Sequence, residues 1–515
     1  MDELINNLLR RRAQIYQSGS AEKINKMHSE GRYTARERIG MLCDEGTFQE
    51  MSLFARHRSV DFGMTDKEIP AEGVITGSGL INGRPVFMGS QDFSAMAGTV
   101  GESGARKVCE AMDNSLKSGV PFIFINDSGG ARIQEGVDAL SGYGNIFYRN
   151  VLMSGVVPQI SIIAGPCAGG AAYSPALTDF IIQVQGQGQM YITGPKIIKE
   201  VTGENVTAED LGGYESQAVH SGVVHFVADN ERHAADITRK LLSFLPSNNY
   251  EEAPIIREDR QTDLLPDEYL NSVIPDNPRQ PYDMKQIITR IVDNGDFLEV
   301  RALFAQNIIV GFGRINGRSV GIIANQPMYK AGVLDINSSA KASGFIRFCN
   351  AFNIPLVTFV DVPGFLPGVE QEHSGIIKHG AKMLFAYAAS TVPKITIIVR
   401  KAYGGAYLAM CSREMGADRV VAWPSAEIAV MGAEGAVNLL YAKEIKNAAD
   451  PKAEHDKRLK EYKDQFSTPY LAASRGYIHH IIVPADTRSH ITEALELLAT
   501  KRELRPMKKH GLIPL

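Results

Sequence analysis

The stretch GVPFIFINDSGGARIQEG, Gly119–Gly136, decides the fold, because it returns in altered spelling as NIPLVTFVDVPGFLPGVE, Asn353–Glu370. In both, an apolar run rich in β-branched and aromatic residues ends in an aspartate and a glycine-containing turn. That is the pattern of a buried strand stopped by a tight turn. Asp127 falls on Asp361, 234 positions on. Working outward, INGR at Ile81–Arg84 returns at Ile315–Arg318 with the same spacing, each time between apolar runs, and its Asn-Gly marks a hairpin turn. VPQISIIAGPCAGGAAY (Val157–Tyr173) aligns with VPKITIIVRKAYGGAYL (Val392–Leu408), setting Gly169-Gly170-Ala171 on Gly404-Gly405-Ala406 at 235 positions. A weaker match sets MYITGPKIIKEV (Met190–Val201) beside AVMGAEGAVNLL (Ala429–Leu440), with Gly194 on Gly432 at 238 positions.

A period near 235 residues is far longer than that of solenoid repeats and describes a duplicated whole domain. The segment Leu245–Met284, rich in Pro, Asp, Glu and Asn, reads as the junction, so residues 1–255 and 275–515 are expected to be the domains. Within each, hairpin strands precede buried strands alternating with helical stretches such as GARKVCEAMDNSLKSG and SGFIRFCNAFN, an α/β pattern. Leu4, Leu8 and Ile15 share one face of an N-terminal helix, and HITEALELLATKREL repeats that pattern near the C-terminus; both read as packing helices.

Composition narrows the function. The 515 residues carry 54 Lys+Arg against 58 Asp+Glu, a net charge of -4, which offers no global field for nucleic acid. Five scattered cysteines without a Cys-x-x-Cys pair read as reduced thiols. No apolar run reaches the roughly 20 residues of a membrane span, and the N-terminus lacks a secretory pattern. The expected compartment is the cytoplasm.

Common catalytic signatures are missing. There is no Gly-x-Ser-x-Gly elbow, no Gly-Lys-Ser/Thr after the glycines of Gly98–Lys107, and no His-Glu-x-x-His, so no NTP, NAD or metal site is expected. What remains is glycine-rich strand ends: Gly129-Gly130-Ala131, Gly169-Gly170-Ala171, Gly364-Phe365 and Gly404-Gly405-Ala406. Backbone amides at such a helix start can hold an oxygen that becomes negative. Tight turns and close packing are the competing explanation for any one Gly-Gly pair. Recurrence at matching places in both copies favours function.

The residues resemble the carboxyltransferase subunits of biotin-dependent acyl-CoA carboxylases, of transcarboxylase and of methylmalonyl-CoA decarboxylase. The likeness runs through HSEGRYTARERIGML (His28–Leu42), NDSGGARIQEGVDALSGYG (Asn126–Gly144), SGVVPQISIIAGPCAGGAAYSPALTDF (Ser154–Phe180), DVPGFLPGVEQE (Asp361–Glu372), VPKITIIVRKAYGGAYLAM (Val392–Met410), AWPSAEIAVMGAEGAVN (Ala422–Asn438) and the KKHGLIPL tail. It implies two crotonase-like (ClpP-like) domains and a homohexamer built as a trimer of dimers. The active site would lie between the N-domain of one subunit and the C-domain of another. Acyl-CoA would bind the N-domain and carboxybiotin the C-domain.

Carried onto this chain, the resemblance gives Gly169 and Gly170 the thioester oxygen and Gly405 and Ala406 the biotin ureido oxygen. Gly129, Gly130, Ala131, Arg132 and Ile133 would wall the CoA side, and Gly364, Phe365, Leu366, Pro367 and Gly368 the biotin side. Leu408, in GGAYLAM where propionyl-CoA carboxylases resemble GGAYDVM, would face the acyl group and places the chain nearer transcarboxylase and the decarboxylase. The implied substrates are propionyl-CoA and methylmalonyl-CoA. Ser90–Glu102 and Ser338–Ser343, with Ala340 where an Asp is usual, depart from the family pattern. With no Met-Lys-Met motif and no ATP-binding region in the sequence, biotin would arrive on a separate biotin carboxyl carrier protein. The further partner would be a biotin carboxylase, a transcarboxylase subunit or a membrane sodium-pumping decarboxylase subunit. A crotonase-like hydratase or hydrolase, and a noncatalytic acyl-CoA-binding scaffold, are the alternatives.

Overall fold

The computed structural model describes residues 1–256, 265–278 and 280–515, so part of the junction, residues 257–264 and 279, lies outside the described residues. The chain divides into two compact units, Met1–Glu251 and Glu252–Leu515. The first holds β1 (Gln49–Met51), β2 (Val74–Ile81), β3 (Arg84–Gln91), β4 (Phe122–Ser128), β5 (Gln159–Ala168), β6 (Phe180–Val184), β7 (Gln189–Tyr191) and β8 (Phe226–Ala228). They form one sheet in the order β1-β2-β3-β4-β5-β6-β8, with β7 paired to β5. β1 to β3 are antiparallel and the other pairs parallel.

Local chemistry explains the hairpin. Asn82 and Gly83 both adopt positive φ (50° and 74°), as a two-residue turn matched to strand twist requires. The Asp44 carboxylate accepts both turn amides, at 3.0 and 2.8 Å. Parallel strands need crossovers, supplied by helices Glu102–Ser118, Val137–Met153 and Gly170–Ala176. Val108, Met112, Phe122, Tyr143, Ile146 and Ile163 fill the core beneath them.

The second unit repeats this topology with β9 (Leu298–Glu299), β10 (Ile308–Ile315), β11 (Arg318–Asn325), β12 (Leu356–Val362), β13 (Lys394–Tyr403), β14 (Arg419–Ala422), β15 (Glu427–Ala429) and β16 (His480–Ile481). The order is β9-β10-β11-β12-β13-β14-β16, with β15 on β13. Even the register repeats. Phe87 pairs with Phe122 as Gly321 pairs with Leu356, and Phe122 with Gln159 as Leu356 with Lys394. The β4–β5 ladder shifts between Asn126 and Ser128, and the β12–β13 ladder between Val360 and Val362, so a bulge falls at each aspartate. Asn316 and Gly317 turn the second hairpin on Asp293, at 3.0 and 2.7 Å.

Buried lysines recur too. Lys107 Nζ donates to the carbonyls of Ala71 and Val74 (2.8 and 2.6 Å), and Lys341 Nζ to those of Phe304 and Ile308 (both 2.8 Å), each stitching a crossover helix to the strand entry. Burial pushes Lys107 down to about 8 and Lys341 to about 7. The copies differ after the weakly matched segment, where the second unit carries helices Ala442–Asn447 and Pro451–Phe466. At the N-terminus the expected helix forms as Asp2–Tyr16 but buries no side chain within the chain; it is held through Tyr16, whose ring lies 4.9 Å below Arg36. Among the described residues, no helix is long and apolar enough to cross a membrane.

Candidate active site

In each unit the central parallel strand runs into a short helix through a glycine in the left-handed region. β5 ends at Ala168, Gly169 turns with φ +57°, and the helix Gly170–Ala176 follows. The N–H of Gly169 donates to the Tyr191 carbonyl at 3.1 Å, tying the strand end to β7. The amides that open the helix are therefore those of Gly170 and Ala171, whereas the family resemblance pairs Gly169 with Gly170. In the second unit Gly404 turns with φ +58° and opens the helix Gly404–Ala409, where Gly405 and Ala406 stand at the places of Gly170 and Ala171. First-turn amides have no carbonyl four residues back and lie at the positive end of the helix dipole.

The second glycine of each pair has a different surrounding. A Cβ on Gly170 would come within 2.9 Å of the Tyr143 ring, so packing alone explains that glycine. A Cβ on Gly405 would meet no atom within 4 Å, and Gly405 is not among the positive-φ residues. Nothing within the unit demands glycine at 405. Leu408, one turn on, is 40% exposed.

The flanking loops are held alike. Val100 bridges Ala131, donating to the Gly130 carbonyl (3.0 Å) and accepting from Arg132 N–H (2.9 Å). Leu334 bridges Phe365 in the same way, with Gly364 and Leu366, at 3.0 and 2.7 Å. Arg132 is fully buried, its guanidinium committed to Glu72 (2.8 Å), Glu135 (2.7 Å) and the Thr99 carbonyl (3.0 Å). It braces the Gly129–Ile133 loop from inside, while Ile133 stands 87% exposed. Glu135 also accepts the Glu102 N–H at 2.7 Å, and Gln371 accepts that of Ile336 at 3.3 Å in the second unit. Gly364 and Gly368 have φ of +152° and +141°, and a Cβ on either would meet nothing within 4 Å. The Phe365 ring lies 3.1 Å from where a Gly380 Cβ would be, and Leu366 is half-buried, leaving Pro367 and Gly368 at the surface.

Charged anchors behind the strand ends escaped the sequence reading. Asp127 is bound by Arg32 (2.8 Å) and Arg38 (2.8 Å), and Arg38 also holds Glu231. Asp361 is bound by Arg400 Nε (2.9 Å) and the Tyr282 hydroxyl (2.8 Å). Each aspartate donates its own N–H to a side-chain oxygen of the hairpin strand, Gln91 for Asp127 and Asn325 for Asp361. An aspartate ending a buried strand was the available signal; its partners lie far off in sequence.

Four titratable groups beside the glycine helices, two tyrosines and two cysteines, are not poised as bases. Burial pushes the Tyr143 and Tyr407 hydroxyls and the Cys167 thiol upward, and Cys411 to about 12, so all four stay protonated near neutrality. The chemistry available here is that of backbone donors, a pair in each unit.

The carboxyl transferase domain profile matches residues 26–513. The chain belongs to the carboxyl transferase domain family. It is 55% identical over 514 residues to the methylmalonyl-CoA carboxyltransferase 12S subunit of Propionibacterium freudenreichii subsp. shermanii, covering 100% of this chain and 98% of that one. To methylmalonyl-CoA decarboxylase subunit alpha of Propionigenium modestum it is also 55% identical, covering 99% of each. To the propionyl-CoA carboxylase beta chain of Saccharopolyspora erythraea it is 52% identical, covering 99% and 95%. The carboxyltransferase fold superposes on a crystal structure of transcarboxylase 12S with a TM-score of 0.97 at 55% identity, covering 100% and 98% of the chains. That protein is described as a hexamer and multienzyme core, with methylmalonyl-coenzyme A and methylmalonic acid bound. The two units are thus crotonase-like α/β domains, and the chain is a carboxyltransferase.

Proposed function

We propose that this carboxyltransferase moves a carboxyl group between carboxybiotin on a carrier protein and a short acyl-CoA, propionyl-CoA or methylmalonyl-CoA. The observation that carries the proposal is Gly405: a glycine with no steric need to be one, beside a first-turn amide, is what close approach of a planar ligand to the backbone requires. Biotin, when bound, supplies the carboxyl group and a ureido nitrogen able to accept a proton. Gly405 and Ala406 would hold the ureido oxygen as negative charge grows on it. Gly170 and Ala171 would hold the thioester oxygen as the enolate forms, Gly169 setting the turn that aims them. Each such donor contributes on the order of 10²-fold in rate.

The Gly129–Ile133 loop, braced by Arg132, would wall the CoA side, and the Gly364–Gly368 loop the biotin side. Leu408 would border the acyl group. The likeness to relatives acting on methylmalonyl-CoA and propionyl-CoA supports the substrate. A homohexamer, with the first unit of one subunit facing the second unit of another, is supported by the hexameric relative. It is supported also by apolar residues exposed at equivalent places: Ile192 and Val430, and Val201 and Leu439. The carrier and a carboxylase, transcarboxylase or decarboxylase subunit would complete the system. Five buried free cysteines suit a reducing cytoplasm.

The test is decarboxylation of methylmalonyl-CoA and malonyl-CoA by the purified chain, with and without free biotin or biotinylated carrier. Biotin-dependent turnover, lost in Gly405→Val, supports the reading. Biotin-independent turnover points to a crotonase-like hydrolase or decarboxylase, and CoA binding without turnover to a scaffold.

A further inference from the structure

The two units share a backbone, but around the second glycine helix a side-chain pair exists that the first unit lacks. Tyr403, the last residue of β13, is 8% exposed. Its hydroxyl donates to the carboxylate of Glu427, the first residue of β15. Its ring lies 3.3 Å from where a Cβ on Gly432 would sit, at the start of the helix Ala433–Leu440. One side chain thus touches both ends of the segment Glu427–Gly432. Between them the segment presents Val430, 83% exposed, and Met431, 40% exposed, and the Val430 carbonyl lies 2.9 Å from where a Gly404 Cβ would be. In the first unit the places of Tyr403 and Glu427 are taken by Ala168 and Gln189, and Gln189 turns away to Glu209 at 3.0 Å.

We infer that Tyr403 and Glu427 are a positioning pair that sets the Val430–Met431 rim over the Gly405 amide and so governs how well that amide receives the biotin ureido group. The inference rests on the function proposed above. The first unit carries alanine at 168 and packs a different ring, Tyr191, 3.7 Å from where a Cβ on its Gly194 would sit, so the Tyr403–Glu427 pair belongs to the second unit's rim. The second unit is the one that would receive a flat ring system, the first an acyl thioester. The apolar rim offers the biotin ring a wall beside the two amides.

The experiment uses the full-length chain, free biotin as probe, and two readouts. In Tyr403→Phe and Glu427→Ala, the KM for biotin in methylmalonyl-CoA decarboxylation rises about tenfold, the size expected of a displaced positioning contact, while the KM for methylmalonyl-CoA stays within about twofold. Amide hydrogen exchange over residues 429–435 speeds up in both variants and that over residues 191–197 does not. Glu427→Gln, which keeps an acceptor for the hydroxyl, restores both readouts. Biotin-dependent wild-type turnover with unmoved KM for biotin, or unchanged exchange at 429–435, overturns the inference alone. Wild-type turnover without biotin dependence overturns the carboxyl-transfer reading, and the inference with it.

Discussion

Arg400 donates its Nε to Asp361 at 2.9 Å from a backbone position that glycine occupies in the first unit. There the equivalent residue is Gly165, and a Cβ on it would lie 1.9 Å from Asp127 Oδ1. The duplicated strand ends therefore keep the aspartate and exchange the source of its counter-charge. The second unit draws it from the neighbouring strand, whereas the first draws it from Arg32 and Arg38 at the N-terminal edge, and needs a glycine to make room.

Removing Arg400 leaves a buried carboxylate facing a tyrosine hydroxyl and one backbone N–H. Arg400→Met is expected to destabilise the second unit by about 3–5 kcal/mol, and Arg400→Met with Asp361→Asn to recover part of that. Urea denaturation of the single and double variants checks it; equal losses would show the charge to be uninvolved.

The glycines of the two short helices should fail differently. Gly405→Val enters empty space and is expected to leave the thermal midpoint unchanged while cutting carboxyl transfer by about 10²-fold. Gly170→Ala pushes into the Tyr143 ring and is expected to lower stability by about 1–3 kcal/mol. Melting curves alongside steady-state rates separate the two.

Lys341, held near 7 by burial against an ordinary lysine value of about 10.4, binds fewer protons folded than unfolded between those values. Its contribution to stability therefore rises with pH from about 7 to about 10.4, by up to about 1.4 kcal/mol per pH unit. Wild type minus Lys341→Met, measured by denaturation at pH 7.5, 8.5 and 9.5, should show this rise, and a flat difference would refute it.

Glu135 accepts the first amide of the helix Glu102–Ser118 and pairs with Arg132, whereas in the second unit the uncharged Gln371 accepts the equivalent Ile336 amide beside the Asp335 cap. Glu135→Gln should therefore be tolerated. Glu135→Ala, which frees the end of the Gly129–Gly136 loop, should raise the KM for methylmalonyl-CoA several-fold with kcat little changed, as loss of uniform binding requires.

Much of this architecture is legible in the chain because it depends on neighbours. Asn-Gly pairs turn both hairpins, apolar runs of strand length become β4 and β12, and Gly169 and Gly404 take the left-handed turn that the Gly-Gly pairs announce. The duplication was readable for the same reason, since equal spacing of equal turns yields equal registers. Arg132 was less transparent: placed on the CoA wall by likeness, it turns its guanidinium inward to Glu72, 60 residues away.

By itself the sequence determined two copies of one α/β unit with a glycine helix at each central strand end, through local rules of turn, period and burial. Only the tertiary structure decided which amides those helices leave free. Gly169 loses its N–H to Tyr191 on another strand, Gly170 is glycine because Tyr143 lies against it, and Gly405 faces open space. Those differences arise from groups brought together across the fold, and distance in space is what a spacing pattern along the chain does not record.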